Sequence, residues 1–307
     1  MIRKALLHLS RSRRAARFAD TFPGVRRFAR RFVAGNSLAE VVPTVRKLND
    51  QGFRATVSFL GENVTTQDEA EAARDEYLRL IEAIATGGLS SGISVKLTQL
   101  GLKWDYKGCR DRLLEVAAAA HERGLFVRID MEESGVVDVT LSMYRELRSA
   151  GHDRLGVAIQ SYLRRSRADM ELLAREGADV RLVKGAYLER PQVAFPRKAD
   201  VDGSFRDLID VAVRNRADGF SLAVATHDIE MIRHALRVFD RDAVPQKHYE
   251  FQMMYGIRTD LQRQLRDAGR RVRIYVPYGA RWYPYLMRRL AERPANLWFF
   301  LGNVLKR

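Results

Sequence analysis

The amino-acid sequence predicts an α/β protein built on a (β/α)8 TIM-like barrel, and three observations carry that expectation. Beyond residue 50, short β-branched apolar runs alternate strictly with longer amphipathic stretches, eight times over. Strict alternation implies parallel strands joined by right-handed crossovers, and eight units close a barrel. The main competitor is a doubly wound open sheet, which would show a GxGxxG turn after its first strand if it held a dinucleotide. Here the first strand ends Leu60-Gly61-Glu62-Asn63.

The strand runs are 54–61, 92–99, 125–131, 155–162, 179–187, 220–227, 249–255 and 271–278, all but 249–255 rich in Val, Ile, Leu or Phe. Amphipathic stretches at 66–86, 107–123, 138–150, 166–177, 204–218, 228–239 and 258–268 supply the crossover helices, and 281–293 supplies a last one. Thr65, Asp138 and Ser166 stand where N-caps belong, and Gly124, Gly151, Gly177, Gly219 and Gly269 where helices end. Residues 1–50 read as a basic N-terminal arm of two or three helices, and 51–307 as the catalytic barrel.

A single cysteine, Cys109, excludes an internal disulfide and any zinc site needing two thiolates, so no metal is expected and a reducing cytoplasmic setting fits. No apolar stretch is long enough to span a bilayer, and the first apolar run, Ala5-Leu6-Leu7, is broken by His8 and Arg11 before it could serve as a signal peptide. The net charge is +15, and residues 1–32 hold ten Lys/Arg against one acid, Asp20. Leucines and phenylalanines interleave with these arginines, as in a helix lying on an anionic membrane surface. A solvated arm is the plain alternative, and nucleic acid ranks below both.

Chemistry in such a barrel sits at the C-terminal ends of the strands. There the sequence places Glu62, Lys96, Thr98, Gln99, Asp130, Glu132, Gln160, Arg181, Lys184, Thr226, His227, Asp228, Gln252, Tyr275 and Tyr278. A ring of mixed charge can pair internally and be structural. Its completeness around the barrel favours a site. On the last helix Tyr285 precedes Arg288 and Arg289 by three and four residues, so aromatic and guanidinium groups share a face. The two arginines could flank a planar anion, or one could pair with Glu292 at i+4. Lys184-Gly185-Ala186 offers small residues where a ring or phosphate could approach the backbone.

SVKLTQLG (94–101), RIDMEES (128–134), IQSYLRR (159–165), RLVKGAY (181–187), ATHD (225–228), YEFQMMYG (249–256), YVPYG (275–279) and WYPYLMRRLAERPAN (282–296) resemble, in order, the motifs of the proline dehydrogenases. That resemblance implies a distorted barrel with the last helix over its mouth, non-covalent FAD, oxidation of L-proline to Δ1-pyrroline-5-carboxylate, and transfer of electrons to a membrane quinone. By position it gives Arg288, Arg289 and Lys96 to the substrate carboxylate, and Asp130 to ordering Lys96. Met254, Tyr275 and Tyr285 wall in the proline ring. Met131, Gln160, Arg181, Lys184, Gly185, Ala186, Thr226 and His227 contact FAD, with Arg181 beside the flavin N5 and Lys198 a pyrophosphate contact.

Those residue types suit the reaction. Proline's one strong handle is a carboxylate far from C5, and a fork of cations fixes it while apolar walls set the ring's tilt. A cation beside the flavin stabilises its reduced form. A barrel aldolase with Lys96 or Lys184 as Schiff-base lysine, and a non-catalytic basic adaptor, are the other readings.

Overall fold

The computed structural model describes residues 21–292, together with Leu9, Ser12, Ala15 and Ala19. Most of the basic arm, 1–20, and the tail, 293–307, lie outside the described residues, and so does the side chain of Glu292. Eight strands, β1 (Arg54–Phe59), β2 (Ser91–Val95), β3 (Val127–Ile129), β4 (Leu155–Gln160), β5 (Asp179–Val183), β6 (Ser221–Ala225), β7 (Tyr249–Met254) and β8 (Val272–Tyr278), form one closed parallel barrel in sequence order. The ring closes through β1 and β8, in register from Arg54↔Arg273 to Phe59↔Tyr278.

Seven strands fall inside the runs predicted for them and β2 begins one residue before its run, yet several stop short of the run's C-terminal end. Lys96, Asp130, Lys184 and Thr226 each follow the last residue of their strand. After β2 the chain tightens at once into a 3-10 turn, Leu97–Leu100, closed by Gly101 at φ +98°. The polar residues at the mouth therefore sit on turns that the ladder has just released.

Among the described residues the helices are α1 (Pro23–Ala29), α2 (Leu38–Asp50), α3 (Gln67–Thr86), α4 (Tyr106–Glu122), α5 (Val137–Ser149), α6 (Ser166–Arg175), α7 (Lys198–Asn215), α8 (Ile229–Arg241), α9 (Thr259–Asp267) and α10 (Tyr283–Glu292). Three N-caps differ from expectation. Thr66, not Thr65, caps α3 by accepting from the Glu69 N–H, because the Thr65 N–H is already taken by the Glu69 carboxylate. Asp138 lies in the first turn of α5, where it binds Arg165 at 2.6 Å. Ser166 is the first residue of α6 and donates back to the Gln160 carbonyl at 2.6 Å. Gly124, Gly151, Gly177 and Gly269 do follow their helices as expected, whereas Gly219 stands four residues past α7. That helix starts at Lys198 instead of 204, since Asp200, Asp202 and Gly203 dilute an apolar pattern that Val201 nevertheless begins.

Two apolar clusters hold the molecule. The larger is the barrel with its outer helices, and α2 belongs to it: Val41, Val45 and Leu48 pack in the seat beside β1 and β8. A last crossover helix would fill that seat in a regular barrel. With it taken, α10 lies over the barrel mouth. The smaller cluster joins Val25, Phe28 and Val33, in and after α1, to Leu60, to Trp282 just before α10 and to Leu286 and Leu290 within it. Helix α1 is thus part of the cap.

Candidate active site

Six strands and the turns just after them build the deepest part of the site. Lys96 Nζ donates to Asp130 Oδ2 at 2.8 Å, to Ser58 Oγ at 3.0 Å and to the Tyr275 hydroxyl at 3.1 Å. Tyr275 in turn donates to the same Asp130 oxygen at 3.0 Å. The second carboxylate oxygen accepts from Arg181 Nη1 at 2.5 Å, and Arg181 also reaches Ser94 Oγ at 3.0 Å and Gln252 Oε1 at 2.6 Å. Arg181 is the third residue of a five-residue strand, so it is not at the rim as its place in the sequence suggested. Its length carries the guanidinium across the lumen to β2 and β7, where it sits 5.4 Å from the centre of the Tyr275 ring.

Burial opposes charge on Lys96, but the Asp130 carboxylate beside it holds its pKa well above the ordinary value. Burial likewise acts to raise Asp130, and Lys96 and Arg181 outweigh it, so the carboxyl stays below its usual range. Two cations around one carboxylate leave the lumen with one net positive charge. Above them Glu132 accepts from the Thr98 N–H at 3.0 Å and from its hydroxyl at 2.5 Å. Burial and the neighbouring Glu62 push its pKa up to about 7.

The other half of the site hangs on α10. Arg288 Nη2 is 2.7 Å from Glu62 Oε1 and lies over the Tyr187 ring, while Arg289 lies 5.4 Å from the Tyr285 ring and 2.9 Å from Met254 Sδ. Only Arg289, at i+4, shares the Tyr285 face. Arg288, at i+3, turns to Glu62. The Tyr285 hydroxyl meets the same Met254 sulfur at 3.7 Å. Met254 is in register with Tyr275, which ties the two halves together.

The remaining predicted residues line the rim from β3 to β7. Buried Met131 offers its carbonyl to Gln160 Nε2 at 3.3 Å, and Gln160 Oε1 is buried with no donor. Gly185, at φ +105°, packs so closely on Tyr162 that a Cβ would enter its ring, and Ala186 follows half-buried. Lys184 bridges Asp202 at 2.5 Å and Asp228 at 2.8 Å, and Lys198 pairs with the same two aspartates. Thr226 accepts from the Asp228 N–H at 3.1 Å, and His227 Nε2 accepts from the Met254 N–H at 2.9 Å, so each braces the rim. Ser58, Ser94, Tyr187 and Asp202 also serve the site, and the sequence reading passed over them. Ser58 and Thr56 alternate along β1, so inward serines were the available signal.

The proline dehydrogenase family model matches residues 41–300. The chain belongs to the proline dehydrogenase family. Proline dehydrogenase 1 of Bacillus subtilis subsp. natto is 39% identical over 307 residues, covering both chains in full. The proline dehydrogenase of Deinococcus radiodurans is 39% identical over 282 residues, 91% of this chain and 90% of that one. Among solved structures, proline utilization A (PutA) from Bdellovibrio bacteriovorus, inactivated by N-propargylglycine, superposes with a TM-score of 0.82 at 28% identity. That match covers 89% of this chain and 33% of the larger protein. The family's substrate is proline, and its reaction belongs to proline catabolism. Among the described residues no helix is long and apolar enough to cross a membrane.

Proposed function

We propose that this proline dehydrogenase oxidises L-proline to Δ1-pyrroline-5-carboxylate with non-covalent FAD, and that a quinone reoxidises the flavin. The observation that supports the reading most is the buried Lys96–Asp130–Arg181–Tyr275 network lying beneath a pair of arginines on the capping helix. The rim fits a flavin. Gln160 Oε1 is an orphaned acceptor suited to a ring N–H. The Lys184 and Lys198 ammonium groups, gathered by Asp202 and Asp228, would meet a pyrophosphate, and Met131, Gly185, Ala186, Thr226 and His227 would complete the cradle. Bound FAD would take up the hydride leaving proline C5.

The chain's own residues do the positioning. Arg288, Arg289 and Lys96 would hold the carboxylate, with charge-assisted bonds worth about 1.5–3 kcal/mol each. Met254, Tyr275 and Tyr285 would set the ring's tilt and exclude water. Asp130 keeps Lys96 and Arg181 fixed. The net positive charge left over in the lumen favours an anion there, whether carboxylate or reduced flavin. The basic segment 1–32 would draw the enzyme to the anionic, quinone-bearing membrane from the cytoplasmic side. Liposome co-sedimentation with and without residues 1–32 tests this last point, and equal binding of the two forms refutes it.

The aldolase reading asks for a neutral lysine. Lys96 is instead driven further toward its charged form, and Lys184 lies between two carboxylates. The spectrum of the purified protein is the direct test. Oxidised-flavin bands that bleach on adding L-proline are expected. A colourless protein with a borohydride-trapped lysine adduct would overturn the proposal.

A further inference from the structure

The opposite end of the barrel carries a feature that proline oxidation does not use. A cavity of about 420 Å³ opens among the N-terminal ends of the strands, and Arg54, Arg128, Arg154, Lys247, Arg271 and Arg273 line it, with Arg181 of the active-site network also contributing to its wall. Two acids, Asp179 and Glu250, are the only ones in that lining. Asp179 is engaged by Arg128, and Glu250 by Arg273 at 2.6 Å. Those pairs leave Arg54, Arg154, Lys247 and Arg271 without a carboxylate of their own, Arg271 standing 3.8 Å from the already paired Glu250. Cations normally disperse over a surface to reduce their repulsion. Here Arg54 and Arg273 face each other in strand register, and Arg54 is destabilised as a cation first by burial and then by Arg271 and Arg273.

Two further observations point to a ligand. Arg128, 3% exposed, and Arg271 each keep a buried Nε–H with no acceptor, a cost that a folded chain rarely accepts without a use. Gly156 leaves the space that Arg128 fills, for a Cβ there would fall 2.3 Å from its Nη1. A guanidinium fork, a surplus of positive charge and unspent N–H donors form the usual receptor for clustered anionic oxygens.

We propose that the base of the barrel is a binding site for a compact, multiply charged oxyanion. It lies at the far end of the lumen from the mouth and does not depend on the flavin reading. Both phosphates and polycarboxylates carry this chemistry.

The test is calorimetric titration of the purified holoenzyme with inorganic pyrophosphate and, separately, with citrate, at fixed ionic strength with chloride as the control anion. Saturable binding of at least one of the two probes is expected, and the tighter one identifies the source as phosphate or carboxylate. The double variant Arg54→Ser plus Lys247→Ser removes two cations whose side chains make no hydrogen bond among the described residues, so it retains the wild-type melting temperature and proline oxidation. It should bind the same probe about tenfold or more weakly. Absence of saturable binding overturns the proposal, as does equal affinity in wild type and double variant, which would place the probe elsewhere on the molecule.

Discussion

The two halves of the candidate active site are built differently. The inner half, Lys96, Asp130, Arg181 and Tyr275, is carried by strands and the turns just after them, and each member bonds to at least two others or to a buried serine. The outer half, Tyr285, Arg288 and Arg289, rides on one ten-residue helix whose contacts include a small apolar cluster, an ion pair to Glu62 and a methionine sulfur. Moving the inner half means breaking strand ladders and exposing charge. Moving the outer half separates α10 from α1 and Leu60, a much smaller surface. A site made this way can keep its electrostatics fixed while its cap yields to admit substrate.

The largest expected effect tests the cap alone. Removing both arginines, Arg288→Ala with Arg289→Ala, should raise KM for proline by about 10²–10⁴-fold, the loss of two charge-assisted bonds. Flavin content should persist, because the barrel half is untouched. Steady-state kinetics on the yellow double variant check this, and near-normal KM would take the carboxylate away from α10. The counterpart in the barrel is Asp130→Ala, which leaves Lys96 and Arg181 buried without their shared anion. Stability should fall by about 3–5 kcal/mol, read as a drop in Tm of roughly 10 °C, together with lost activity. If this variant melted like wild type, the inner half would not be the rigid part.

A third expectation uses pH. Glu132 is raised to about 7 by burial and Glu62, above its ordinary value of 4.5. A carboxyl with a raised pKa favours the folded state while protonated, so that contribution is complete below pH ~4.5 and is lost as pH rises to about 7. The amount is of order 3 kcal/mol. Asp130 and Glu250 are shifted the other way and act at lower pH. Glu132→Gln should therefore flatten the decline in Tm between pH 5 and 8 and leave the protein the more stable one at pH 8. An unchanged slope would show that Glu132 is solvated.

How much of this was legible in the sequence follows the same division. The strand order and the polar ring could be read because short apolar runs and the residues that end them are local patterns, while the capping position of α10 came with the family resemblance that its motif carries. The pairings could not. Nothing local says that Arg181 spans the lumen to Ser94 and Gln252, 87 and 71 residues away. Nor does it say that Arg288 turns from Tyr285 to a glutamate 226 residues earlier. The start of α7 was hidden by Gly203, and α1 gave no sign that it serves the cap, because its partners are on the last described helix.

The smallest effect bears on the seam between the halves. Glu62 and Arg288 meet at 2.7 Å with both side chains largely buried, 8% and 15% exposed. Two roles compete for that carboxylate. It can hold Arg288 and α10 in the receptive position, or it can occupy the guanidinium that the substrate's carboxylate needs. Glu62→Gln keeps the shape and one acceptor while removing the charge, so the two roles predict opposite signs. Fixing a long side chain in advance spares substrate binding that ordering cost. The positioning role should therefore win, with KM for proline rising about tenfold, close to 1.4 kcal/mol, and Tm nearly unchanged. A fall in KM would mean instead that Glu62 competes with substrate, and that the cap is held shut rather than held ready.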